Sequence, residues 1–300
     1  MISRTWLAAC MGVVAGVLAV VLAAISAPGG SSPPPAATTP RCVTAPAPAA
    51  EAPTATTAAQ TPATGAPLTL SGRQKAPILG GTMELNANQE GSGSGATISD
   101  PNGGPGFTIT HSAINQATVG AYPSLFVGQH GNLVTRHDPF PLQLSAIRPG
   151  QVITSVHSVT PRSACSARWV DFYDIFLTAG AHANQFSSTR EELEIWQNAG
   201  NRAPGGTPVA RGVRLDGRLY DVYNHVTDAN TIAYVPRRFA SGSFHGDLRP
   251  FIQDSIRRGY AQPNWYLTDV EHGFEINSGN VVGLGDANFS VQVGGNSSSP

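Results

Sequence analysis

Residues 191–200 read EELEIWQNAG. On a β-strand, successive side chains point to opposite faces. Glu192, Glu194 and Trp196 therefore share one face, and Glu191, Leu193 and Ile195 share the other. Leu193 and Ile195 predict that their face meets an inter-sheet core. Two carboxylates and an indole remain on the open face. A second stretch, YLTDVEHGFEINSG at 266–279, reads the same way, with Glu271, Gly273 and Glu275 on one face. Gly273 removes a side chain between the two carboxylates, which would let a ligand approach the backbone.

Strand signals surround these two segments, separated by Gly, Pro and Asn. GFTITHS, YPSLFVGQ, PLQLSAI, VITSVHSV and WVDFYDIFLTA precede the first; TIAYVP and NFSVQVG lie further on. RGVRLDGRLYDVYNHV predicts a hairpin turning at Asp216-Gly217, where positive φ is needed. One helix is expected after Asp247, which can cap it. Leu248, Phe251, Ile252, Ser255 and Ile256 recur at helical spacing, Pro250 fits a first turn, and Gly259 suits the position just past the end. Many strands and a single helix predict an all-β fold, a sandwich or jelly roll with the helix on one face.

The chain of 300 residues carries a formal net charge of -1, with 12% charged residues. Without a basic excess, nucleic acid is excluded as an expected partner. Residues 1–27 read as an export signal: Arg4, then an apolar run from Trp6 to about Ile25, then small residues that allow cleavage before Ala27. The run is also long enough to remain as an anchor. Secretion or attachment to the cell envelope is expected. Residues 28–75 are rich in Ala, Pro, Thr and Ser. They have too little apolar surface to offset ordering entropy, and they read as a disordered linker. The folded body is expected at 76–296. Cys42 and Cys165 remain after cleavage, and spacing leaves both a disulfide and free thiols open. No Cys/His cluster has metal-ligand spacing, so no metal is expected.

Carboxylates beside an aromatic ring suit sugar chemistry, since the ring can stack on a pyranose while the carboxylates act as nucleophile and acid/base. Here the chain resembles the family-12 glycoside hydrolases, secreted endo-β-1,4-glucanases and xyloglucanases with a jelly-roll fold. ELEIW (192–196) resembles their nucleophile segment, and GFE (273–275) their acid/base segment. AYPSLFVGQH (121–130), FYDIF (172–176), WYLTDVEHGFE (265–275) and NFSVQV (288–293) resemble further family segments in the same order. The resemblance spans roughly residues 83–294.

The resemblance implies a jelly-roll sandwich of two antiparallel sheets with one helix. It implies Glu192 as nucleophile, Glu275 as acid/base, and Asp174 as the aspartate that hydrogen-bonds the nucleophile. Asn88 and His130 match polar residues lining the cleft, and Pro204 falls in a loop bordering the groove. Trp196 reads as a sugar platform or as packing, and Glu194 as a second cleft acid. The implied partner is a β-glucan polysaccharide or oligosaccharide, bound by a monomer, with no lipid substrate and no cofactor. Three departures stand out. Glu194 replaces the family's Met, Glu90 replaces a platform Trp in ANQEG (87–91), and GQHGNLVT (128–135) lacks two cysteines and another Trp. Glu90, Glu194 and Glu271 predict an unusually acidic cleft.

Overall fold

The alternation at 191–200 is realised as one strand, Thr189–Ala199, with Leu193 and Ile195 fully buried and Glu192 and Glu194 half-buried. The computed structural model describes residues 42–44, 65–90, 95–131, 133–182, 189–226, 230–240, 242–294 and 296–297. All fall within the unit Thr38–Pro300. The export-signal reading and most of the linker reading lie outside the described residues.

In chain order the first strands are β1 (Leu68–Ser71), β2 (Lys75–Ile78), β3 (Met83–Asn86), β4 (Ala96–Asp100), β5 (Phe107–Ser112), β6 (Ser124–His130), β7 (Leu133–Val134) and β8 (Leu142–Gln143). There follow β9 (Val152–Val159), β10 (Arg168–Thr178), β11 (Thr189–Ala199), β12 (Thr207–Leu215), β13 (Arg218–Val226), β14 (Asn230–Pro236) and β15 (Ser243–Asp247). The helix α1 (Arg249–Arg258) precedes β16 (Tyr266–Leu267), β17 (Asp269–Ser278), β18 (Gly285–Val293) and β19 (Asn296–Ser297).

These strands form two sheets. One runs β1-β4-β5-β18-β9-β15, with β19 beside β18. The other runs β12-β13-β14-β11-β10-β17-β6-β3-β2, with β7, β8 and β16 attached. The expected two-sheet jelly roll with one helix is the observed fold. The pairing is antiparallel throughout the described ladders except between β11 and β14, which run parallel. The hairpin β12–β13 turns at Asp216 and Gly217, both at positive φ, as expected.

The core lies between the sheets. Trp169, Tyr173, Phe107, Phe244, Phe274 and Phe289 are its large, almost wholly buried side chains. Each such burial contributes roughly 1.5–3 kcal/mol, so the alternate positions on β10, β11 and β17 are left to point outward. The helix adds Phe251 and Ile252 to this core, with the Phe251 ring edge-on to Tyr220 and Tyr234. It ends at Gly259 in the left-handed conformation. Asp247 takes the backbone N–H of Arg249 at 3.0 Å, while the capping position itself falls on Leu248.

The folded body begins earlier than the sequence reading placed it. Strand β1 pairs with β4 from Leu68↔Asp100 to Ser71↔Thr97. Upstream, Cys42 is bonded to Cys165. Asn198 brackets the next residue, accepting from Val43 N at 3.1 Å and donating to Val43 O at 2.6 Å. A composition rich in Ala, Pro and Thr did not reveal these anchors, because a disulfide and an edge pairing need few apolar side chains.

Candidate active site

Three neighbouring strands carry the site on the outer face of the larger sheet. Asp174 on β10 lies opposite Glu194 on β11 and opposite Glu271 on β17. Glu192 stands opposite Phe176, and Glu275 opposite Val170. The alternate residues on β11 and β17, Leu193, Ile195, Val270, Phe274 and Ile276, fill the inter-sheet core. Period-two alternation thus puts Glu192, Glu194, Asp174, Glu271 and Glu275 together on one side.

Glu192 accepts a hydrogen bond from Thr231 Oγ1 at 2.6 Å and shares another with Asp174. Burial raises the Glu192 carboxyl, while Thr231, Asp174 and His225 oppose the rise. Asp174 is 6% exposed and is pushed well above the carboxylate range by burial, then by Glu192, Glu271, Glu194 and Asp269. The hydrogen bond from Asp174 favours the ionised form of Glu192, so Asp174 is the donor side of this pair. Glu275 is pushed up to about 7, chiefly by burial and then by Glu192 and Glu90; Arg202 opposes them. The influence of Glu192 on Glu275 puts the two carboxyls within electrostatic reach across the sheet. Glu192 has two hydrogen-bond donors that favour its charged form, and Glu275 keeps a proton into the neutral range, the division of roles that acid/base chemistry uses.

Glu194 is pushed up to about 8 by burial and then by Glu192 and Glu275. Its Oε2 accepts from Trp196 Nε1 at 2.6 Å. Glu271, 3% exposed, accepts from Ser124 Oγ and is also pushed up to about 8, by burial first and then by Glu84 and Glu90. Both extra carboxylates thus stand in one group with Glu192 and Glu275, and the field of the exposed Glu90 reaches Glu271 and Glu275.

Two expectations are corrected. Trp196 is on the outer face but only 2% exposed, packed with Tyr122, Val170, Phe172, Ala233, Val235 and Phe239. A ring so covered offers no face to a sugar; it orients Glu194. The space at Gly273 is taken by the neighbouring strand: a Cβ there would stand 2.3 Å from Pro123 O, so the glycine serves strand packing and not ligand approach.

His130, 4% exposed, stacks on Phe176 with ring centres 3.6 Å apart. Burial lowers its pKa to about 4, so the ring is neutral above that pH. Asn88 follows β3 at φ 36°, half-buried, with its N–H on Asn86 Oδ1 and its carbonyl on Tyr122 N. Pro204 is half-buried in the loop between β11 and β12. Two residues before it, Arg202 pairs with Glu275, a contact with no motif in the sequence to mark it. His130, Asp269 and Glu271 bring ligand-type atoms within 4.8 Å of one another, a grouping that could hold a metal ion. One Asp269 oxygen is already used by Phe176 N, and one Glu271 oxygen by Ser124.

Comparison with known proteins follows this geometry. Residues 152–294 match the profile of glycosyl hydrolase family 12. Endoglucanase S of Pectobacterium parmentieri is 29% identical over 170 residues, which span 54% of this chain and 62% of that protein. The match thus covers less than two thirds of that relative's length. Endoglucanase cel12A from Rhodothermus marinus superposes with a TM-score of 0.70 at 33% identity, over 76% of this chain and 99% of that one. A metagenome-derived glycoside hydrolase family 12 endoglucanase gives 0.70 at 32%, over 76% and 98%. With whole solved domains matched at this identity on the same two-sheet fold, the chain belongs to glycosyl hydrolase family 12.

Proposed function

We propose that this chain is a retaining endo-β-1,4-glucanase of the cellulase type. The observation that carries the reading is the paired environment of Glu192 and Glu275: one carboxylate is hydrogen-bonded by Thr231 and Asp174, and the other is held protonated to about pH 7. Glu192 attacks the anomeric carbon while Glu275 gives its proton to the departing glycosidic oxygen. A glycosyl ester on Glu192 results. Glu275, now ionised, takes a proton from water as the water attacks the same carbon, and configuration is retained. Asp174 donates to Glu192 and fixes its orientation. Asn88 and the Pro204 loop border the sugar, His130 lies covered beneath Phe176 and supports the site from below, and Glu194 adds a second cleft acid. The chain works as a monomer on β-glucan and uses no cofactor. The Cys42–Cys165 disulfide supports export to an oxidising compartment, consistent with the apolar run at the N-terminus.

Reducing-sugar release from carboxymethylcellulose, mixed-linkage glucan and xyloglucan tests the reading and selects the substrate. Glu192→Gln should lower turnover by at least ~10³-fold with an unchanged melting temperature, whereas Glu194→Gln should keep activity within about tenfold. Loss on Glu194→Gln with activity retained in Glu192→Gln would refute the assignment. A second reading, a glycan-holding module without turnover, draws on two positions that give no platform: Glu90 stands where the family has Trp, and Trp196 is buried. Binding of these glucans without release of reducing ends would favour it.

A further inference from the structure

Arg202 reaches from the β11–β12 loop to the acid/base residue. Its Nη2 pairs with Glu275 Oε2, and its Nη1 donates to Asn277 Oδ1 at 2.7 Å. Glu275 and Asn277 are alternate residues of β17, and Asn277 is 2% exposed. Asn277 is thus fixed by the sheet, the planar guanidinium is fixed by Asn277, and Glu275 is held by the other arm. The ion pair is mostly shielded, with 19% and 16% of the two side chains exposed, so its attraction exceeds that of a surface pair. The other ionisable groups facing Glu275 are Glu192 and Glu194 from β11, Glu90 from the segment after β3, and Tyr122 from the segment before β6. Among the described residues, Arg202 is the cation in this set.

We propose that Arg202 is the positioning residue of the acid/base group: it holds the Glu275 carboxyl in one orientation and steadies its ionised form between the two chemical steps. The proposal rests on the glycosidase reading and deepens it. In the first step Glu275 loses its proton to the leaving oxygen. In the same step Glu192 forms a C–O bond and loses its charge. The repulsion that kept the Glu275 proton in place then disappears, while the pull of Arg202 remains. The carboxylate is favoured until water attacks and returns a proton.

Arg202→Gln removes the charge and keeps an amide. On a soluble β-glucan its alkaline activity limb should move up by about one pH unit, the lower end of what a neighbouring arginine does to a carboxyl. With 2,4-dinitrophenyl β-cellobioside the leaving group needs no proton and the second step limits turnover. There kcat should fall about tenfold and KM with it, leaving kcat/KM unchanged. Arg202→Lys, which restores the charge, should return the limb toward wild type. A limb that coincides with wild type in Arg202→Gln, or kcat/KM falling together with kcat, would overturn the proposal. If the wild-type chain cleaves no glucan, the glycosidase reading fails separately. Arg202 is then judged by the ¹³C carboxyl titration of Glu275, assigned by comparison with Glu275→Gln. A midpoint about one unit higher in Arg202→Gln supports the role. Coincident midpoints refute it.

Discussion

Replacing His272 with Gln should destabilise the domain strongly in a pH-dependent way. His272 is wholly buried on the core face of β17. Its Nε2 stands 3.0 Å from Asp171 Oδ1 and its Nδ1 2.9 Å from Asp286 Oδ2, while Ser158 donates to the other Asp286 oxygen. Burial alone would lower the imidazole pKa. Asp286 and Asp171 outweigh it and raise the ring from 6.5 to about 10. At about 1.4 kcal/mol per pH unit, this corresponds to ~5 kcal/mol of folding free energy. Mutational experience with broken buried pairs gives ~3–5 kcal/mol, because a carboxylate is left without its partner. The sign follows from linkage. A raised pKa stabilises the fold fully below the unfolded value of 6.5, and the contribution is lost as pH rises through about 10. Urea unfolding of wild type and His272→Gln at several pH values between about 6 and 10.5 measures it. A loss of ~3–5 kcal/mol near pH 6 that shrinks toward pH 10.5 is expected. Equal midpoints near pH 6, or a difference that does not change with pH, would refute the charged triad.

Glu191 offers the opposite case: it is fully buried, accepts from Ser255 Oγ at 2.5 Å, and burial raises it from 4.5 to about 7. A raised carboxyl destabilises the fold as pH climbs from the unfolded value through about 7, so Glu191→Gln should match wild type below about pH 4.5 and exceed it by ~3 kcal/mol above pH 7. No gain at pH 8 in chemical denaturation would contradict this. A chain starting at Gly65 keeps β1 but loses the disulfide, and one starting at Ala76 loses both. Melting temperatures should fall in that order from the full chain, the disulfide loss costing ~2–4 kcal/mol; equal values for all three would mean that neither anchor matters.

Local periodicity was enough to put Glu192 and Glu275 on the open face, beside Glu194 and Glu271, and the family resemblance singled the two out. A strand has a repeat of two, and Leu193, Ile195, Phe274 and Ile276 mark the side that must be buried, so the outward carboxylates follow without tertiary knowledge. The many strands with one helix, the Asp216-Gly217 turn and the Gly259 helix stop were legible for the same reason, each depending on the residues at that point in the chain, whereas the jelly roll came from the family resemblance. Other features depend on what lies opposite. Trp196 shares the open face in sequence, but Phe239, Val235 and Tyr122 cover it, and these come from distant segments. Alternation puts Glu191 on the apolar side, but only the fold supplies Ser255 of the helix to meet it there. His272, Asp171 and Asp286 come from three strands, and no spacing links them. Arg202 meets Glu275 across 73 positions of chain, counted from their numbers, and Cys42 meets Cys165 across 123. Alternation tells which way a side chain points; register and sheet packing decide what it meets, because those are set by pairings between segments far apart in the chain.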